Sequence, residues 1–162
     1  MAIHKLDLGE FDEIDYYLIA IHTSLEDYRL AYFLNHKLPI NLAKSKEGVQ
    51  INIKEGETNF ALFYYYDSEH AISWNLVQNK NEVLQKKKDT VHNLFSNVTL
   101  EISTKVYLLP EFKKVDYFLK IEHTENTMDV SKIKTILNTI DTIFTVYTVD
   151  TNQIKSKNNL IF

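Results

Sequence analysis

Residues 14–22 are apolar on both faces of an extended chain, with Tyr16, Leu18 and Ala20 on one side and Tyr17, Ile19 and Ile21 on the other. A strand of this kind has no face to offer water, so it belongs inside a sheet covered on both sides. The rest of the chain must supply its neighbours and its covers. A helix is expected next, over residues 25–36. Ser24 offers a side-chain oxygen to the free amides of its first turn, and Glu26 and Asp27 put negative charge there. Leu25, Tyr28 and Tyr32 recur at helical spacing, and Leu30, Ala31, Phe33 and Leu34 widen the apolar stripe until Leu38-Pro39 ends it.

The period then changes to two. Val49, Ile51 and Ile53 alternate with polar residues, an aromatic strand covers residues 59–66, and Ile72, Trp74 and Leu76 share one face of a third strand, which predicts a three-stranded meander. Residues 78–97 carry the run Lys86-Lys87-Lys88 and only weak helical periodicity, and are expected to be a mobile excursion. Val98, Leu100, Ile102, Thr104 and Val106 alternate with polar residues as a half-buried strand, and a turn at residues 110–114 leads to a partner strand on which Val115, Tyr117, Leu119 and Ile121 share a side. Asp129 can cap a second helix with Val130, Ile133, Leu137 and Ile140 inward, before a last strand over residues 144–149. The order predicts an α+β fold, a two-layer sandwich whose mostly antiparallel sheet has about six to seven strands and two main helices. Residues 1–150 are read as one domain. Residues 151–162 are a tail whose Leu160, Ile161 and Phe162 are too apolar to be idle in solvent and should dock on the domain or on a partner.

Composition removes several chemistries. The chain has 162 residues and no cysteine, so disulfides, thiolate nucleophiles and cysteine metal sites are excluded. The longest apolar run, residues 60–66, is seven residues, against the ~20 of a spanning helix. The acidic start lacks the apolar stretch of a signal peptide, giving the expectation of a cytoplasmic protein. Net charge is −4, and Arg29 is the one arginine, which argues against DNA as a partner. RNA is a weaker alternative, motivated by the aromatic strands but lacking a glycine, aromatic and basic signature. Ser24 beside His22 and Asp27 is better explained as a helix cap than as a triad. The six histidines show no metal-ligand spacing, and the three glycines form no phosphate loop. No cofactor and no metal is expected.

The segment Leu109-Pro110-Glu111-Phe112-Lys113-Lys114-Val115-Asp116-Tyr117 resembles the signature of the IPExxxVDY family of Bacteroidetes, with Leu109 in the isoleucine position. Similarity extends to residues 19–35 and to Gln153, Lys155, Ser156, Lys157 and residues 159–162. The resemblance implies a bacterial protein and carries no activity. Glu111, Lys113, Lys114 and Asp116 crowd a connecting segment, where binding groups tend to be displayed. Together with Arg29 and Tyr117 they are the candidate interaction surface. Arg29 is also expected to clamp Asp116 or Glu111 through its two-pronged guanidinium. The leading expectation is a non-enzymatic protein-interaction module, and the alternative is an enzyme or small-ligand binder with a site assembled from scattered residues.

Overall fold

The doubly apolar segment is the penultimate strand of a six-stranded sheet, paired on both sides. The computed structural model describes residues 16–54, 56–88, 99–123 and 128–162. In chain order the elements are β1 (Tyr16–Thr23), α1 (Asp27–Lys37), β2 (Ala43–Lys44), β3 (Val49–Ile53), β4 (Gly56–Phe60), β5 (Leu62–Asp67) and β6 (Ile72–Gln78). They continue with β7 (Lys80–Lys88), β8 (Thr99–Tyr107), β9 (Tyr117–His123), α2 (Val130–Leu137) and β10 (Ile143–Thr148). The sheet order is β10-β1-β9-β6-β5-β2, and each neighbouring pair is antiparallel. The fold is α+β, with both helices on one face.

Each face of β1 has its own core. Ile19 and Ile21 pack beneath the helices with Leu30, Leu34, Ile133 and Leu137. Leu18 and Ala20 point the other way, towards Phe60, Val106, Leu108, Val115 and Leu160. Fully burying one Leu, Ile or Phe side chain stabilises by ~1.5–3 kcal/mol, so leaving this second face open would forfeit most of that at several positions. Its cover is not helical. It consists of the β3–β4 hairpin, the base of the β7–β8 ribbon, the turn through Pro110–Phe112 and the C-terminal segment.

Several local expectations change. Helix α1 begins at Asp27, and Glu26 occupies the cap position without a side-chain bond, while Ser24 is exposed. Thr23 takes the local amide instead: its hydroxyl accepts from Leu25 N at 3.1 Å and donates to Thr142 O at 2.8 Å. The inward stripe is Leu30, Ala31 and Leu34, whereas Tyr28 and Tyr32 are 58% and 65% exposed. The expected meander is two hairpins, β3–β4 and β5–β6, because the aromatic run breaks at Ala61 and passes from one layer to the other. There Gln78 holds it, donating its N–H to Ala61 O and accepting from Ala61 N.

The expected excursion is in large part a strand. Residues 80–88 pair with residues 99–107 in an antiparallel ribbon, and the remainder of that segment lies outside the described residues. Backbone pairing along nine registered positions makes up for sparse apolar burial. The same ribbon explains why β8 is not half-buried: Val106 reaches the core at its base, while Ile102 is 40% exposed. Nor do β8 and β9 form a hairpin. The turn between them carries the chain from the ribbon into the middle of the sheet, where β9 pairs with β1 and β6. Helix α2 follows its pattern, with Asp129 accepting from Lys132 N at 3.0 Å and Ile133, Leu137 and Ile140 buried.

Candidate functional site

Asn79, between β6 and β7, is fully buried and holds the signature turn from inside. Its N–H donates to Asp116 O at 2.9 Å and its carbonyl accepts from Leu108 N at 2.8 Å. Its side-chain oxygen accepts from Leu109 N, and its amide nitrogen donates to Phe112 O and Val115 O, each at 2.9 Å. Such a residue fixes a loop because removing it leaves buried backbone groups without partners. Sequence reasoning missed it, since an asparagine between an apolar strand and a polar run looks like an ordinary loop residue.

The acidic candidates serve the same anchoring. Glu111 accepts from Lys155 N at 2.7 Å, Ser156 N at 2.9 Å and Ser156 Oγ at 3.1 Å, pinning the tail to the turn. Burial opposes its charge, but the N–H groups of Ser156, Glu111 itself and Lys155, with the Ser156 hydroxyl, outweigh that and hold the carboxyl below its ordinary range. Asp116 accepts from Thr23 N at 3.0 Å and pairs with Lys80 Nζ at 2.6 Å. Tyr117 is buried and its hydroxyl donates to Leu25 O at 2.9 Å. Burial, then the charges of Asp27, Asp116 and Glu26, push its pKa up to about 12.

Arg29 is elsewhere, exposed on α1, and makes no ion pair with Asp116 or Glu111, so the expected clamp does not form. Both carboxylates are held by nearer donors. The tail also departs in part from expectation. Leu160 is buried and Phe162 approaches Lys120, but Ile161 is 79% exposed. Lys120, 4% exposed, is a further residue the sequence did not flag. Its ammonium donates to Leu160 O at 2.8 Å, pairs with Glu122 at 2.5 Å and lies 5.0 Å from the rings of Tyr16 and Phe162.

Beside the turn is an open cleft of about 380 Å³. Its floor follows from strand register: Lys80 lies opposite Tyr107 and Glu82 opposite Lys105, and alternation puts all of them on one face of the ribbon. Lys113 reaches over from the turn, with its ammonium 5.9 Å from the Tyr107 ring centre. Lys80 is occupied by Asp116 and by Lys114 O at 3.3 Å. Glu82 accepts from Ser103 Oγ at 2.9 Å. Among the described residues the Lys105 ammonium has no hydrogen bond or ion pair, and the Tyr107 hydroxyl has no hydrogen bond. A smaller hollow of about 150 Å³ lies alongside, between Ser24 and the Lys80–Asp116 pair. Of these candidates, Lys113 therefore faces the cleft and Lys114 is exposed outside its lining, whereas Glu111, Asp116 and Tyr117 are bonded inward.

Other constellations do not assemble. Ser24 is exposed, His22 stacks on Tyr147 at 5.8 Å, and Asp27 pairs with Lys44 at 3.0 Å. Among the described residues no group of three or more His, Cys, Asp or Glu could hold a metal ion. No helix among them is long and apolar enough to cross a membrane. Phe60, Phe63, Trp74, Tyr117 and Phe118 are in the cores, while Tyr64 and Tyr66 are more than half exposed. Comparison with family models, curated proteins and solved structures finds no match.

Proposed function

We propose that this chain is a non-enzymatic, cytoplasmic protein-interaction module, related to the IPExxxVDY group, whose partner docks in the cleft between the ribbon base and the signature turn. The observation that carries the reading is the set of uncommitted polar groups there. Among the described residues the Lys105 ammonium and the Tyr107 hydroxyl lack partners, and the Lys113 ammonium has only a ring beneath it, on backbone fixed by Asn79 and by the β7–β8 ladder. Polar groups held rigidly without internal partners lose little entropy when a ligand engages them. The size of the cleft favours a second reading. About 380 Å³ lies within the ~300–1,000 Å³ of small-molecule sites, so a small ligand is the competing occupant.

Photo-crosslinking separates the two. A crosslinking amino acid in place of Glu82, which lines the cleft, should give a discrete protein adduct in the native host, and the same group in place of exposed Lys132 on α2 should not. No adduct at position 82, or equal adducts at both positions, overturns the interaction reading.

A further inference from the structure

We infer that the segment received by the cleft is an extended acidic peptide with carboxylates at alternate positions. This rests on the interaction reading and adds the chemistry of the partner. Among the described residues the uncommitted groups can all donate: the ammonium groups of Lys105 and Lys113, which only donate, and the Tyr107 hydroxyl, which can also accept. The one carboxylate in the lining, Glu82, already accepts from Ser103, and the Lys80 charge is offset by Asp116 at 2.6 Å. Two uncommitted cationic donors call for an anionic acceptor, and they remain there in a chain whose overall charge is −4.

Carboxylate fits better than phosphate. The lining holds no arginine fork, glycine nest or helix N-terminus, the usual cradles of a phosphoryl group. Glu82 faces Lys105 across the ribbon and repels a dianion more than a monoanion. Spacing gives the pattern. Lys105 and Tyr107 are two residues, ~7 Å of strand, apart on one face of β8, and the Lys113 ammonium lies 5.9 Å from the Tyr107 ring centre, so one cation belongs to each end of that strand repeat. An extended peptide repeats its side chains on one side at the same interval. Glu-x-Glu therefore meets both lysines, whereas adjacent acids point to opposite sides.

The test is fluorescence anisotropy on the full chain with four labelled probes: an alternating Glu-x-Glu peptide, the same composition with adjacent acids, its Gln counterpart and a single-stranded RNA. The alternating peptide should bind at least about fivefold more tightly than the others. Lys105→Gln or Lys113→Gln should each weaken it about five- to tenfold, equivalent to about 1–1.4 kcal/mol, with Lys132→Gln unchanged. Raising salt should weaken it further. Equal binding of the Glu and Gln peptides, or tighter binding of RNA, overturns the acidic assignment. The two readings fail separately. A Glu82-position adduct that survives the Lys105→Gln/Lys113→Gln double change refutes the acidic partner and keeps the interaction module, and loss of that adduct from the otherwise unchanged chain refutes the module.

Discussion

The signature turn and the base of the ribbon adjoin each other, both rich in charge, yet they treat their polar groups in opposite ways. In the turn, Glu111, Asp116 and Tyr117 bond to the tail, to Thr23 and Lys80, and to Leu25, and Asn79 closes the backbone from beneath. In the ribbon base, the Lys105 ammonium and the Tyr107 hydroxyl have no partner among the described residues, and Lys113 leans in from the turn. Density of charge on a connecting segment therefore does not identify a display surface. This turn crosses from an outlying ribbon to the middle of a sheet, so its backbone cannot rely on a ladder, and side chains supply the missing hydrogen bonds.

Asn79 carries the largest share of this contrast. Asn79→Ala should destabilise by about 2–4 kcal/mol, because Leu109 N–H and the Val115 carbonyl lose their partner away from water, while the Phe112 carbonyl keeps only Val115 N–H. Chemical denaturation reads this directly. A loss below about 0.5 kcal/mol would mean that the turn is not held from inside.

Glu111→Gln is expected to cost less, about 1 kcal/mol, since the amide keeps the shape but loses charge-assisted acceptance. It sharpens the contrast through pH. A carboxyl depressed in the folded state contributes stability that is fully present above its ordinary value of 4.5 and is lost as pH falls through the lower folded value. Denaturation midpoints measured across that window should fall less steeply in Glu111→Gln than in the parent. Parallel acid limbs would remove Glu111 from the anchor.

The smallest effect should be at Arg29. Arg29→Lys is expected to shift stability by no more than about 0.5 kcal/mol, as for other exposed positions away from special contacts. A drop of about 1–3 kcal/mol would revive a bonded role for its guanidinium.

What could be read beforehand was whatever repeats locally. The doubly apolar β1, the stripe of Ile133, Leu137 and Ile140, and the Asp129 cap are set by neighbours within a few residues, and each is found where the pattern puts it. The β7 strand was hidden for the opposite reason. Its Leu84 and Lys86 are exposed and its Gln85 only half-buried, and its conformation comes from pairing with residues 99–107, which no local window contains. The site was legible in the same uneven way. Lys113 was marked by the charge of the turn, whereas Lys105 and Tyr107 carried no signal, because what joins them is register across a ribbon and the reach of Lys113.

By itself the sequence determined an α+β chain without cysteine chemistry, two helices, a strand that demands cover on both faces, and a charged turn. Only the tertiary structure decided that Glu111 and Asp116 face inward, that Lys120 is buried under the tail, and that Asn79 closes the turn. The physical reason is range. Periodicity and capping depend on residues a turn or a pleat apart, but a polar group is satisfied or left free by whatever the folded chain brings beside it, here Ser156 for Glu111 at 45 positions' distance and, among the described residues, no partner for the Lys105 ammonium.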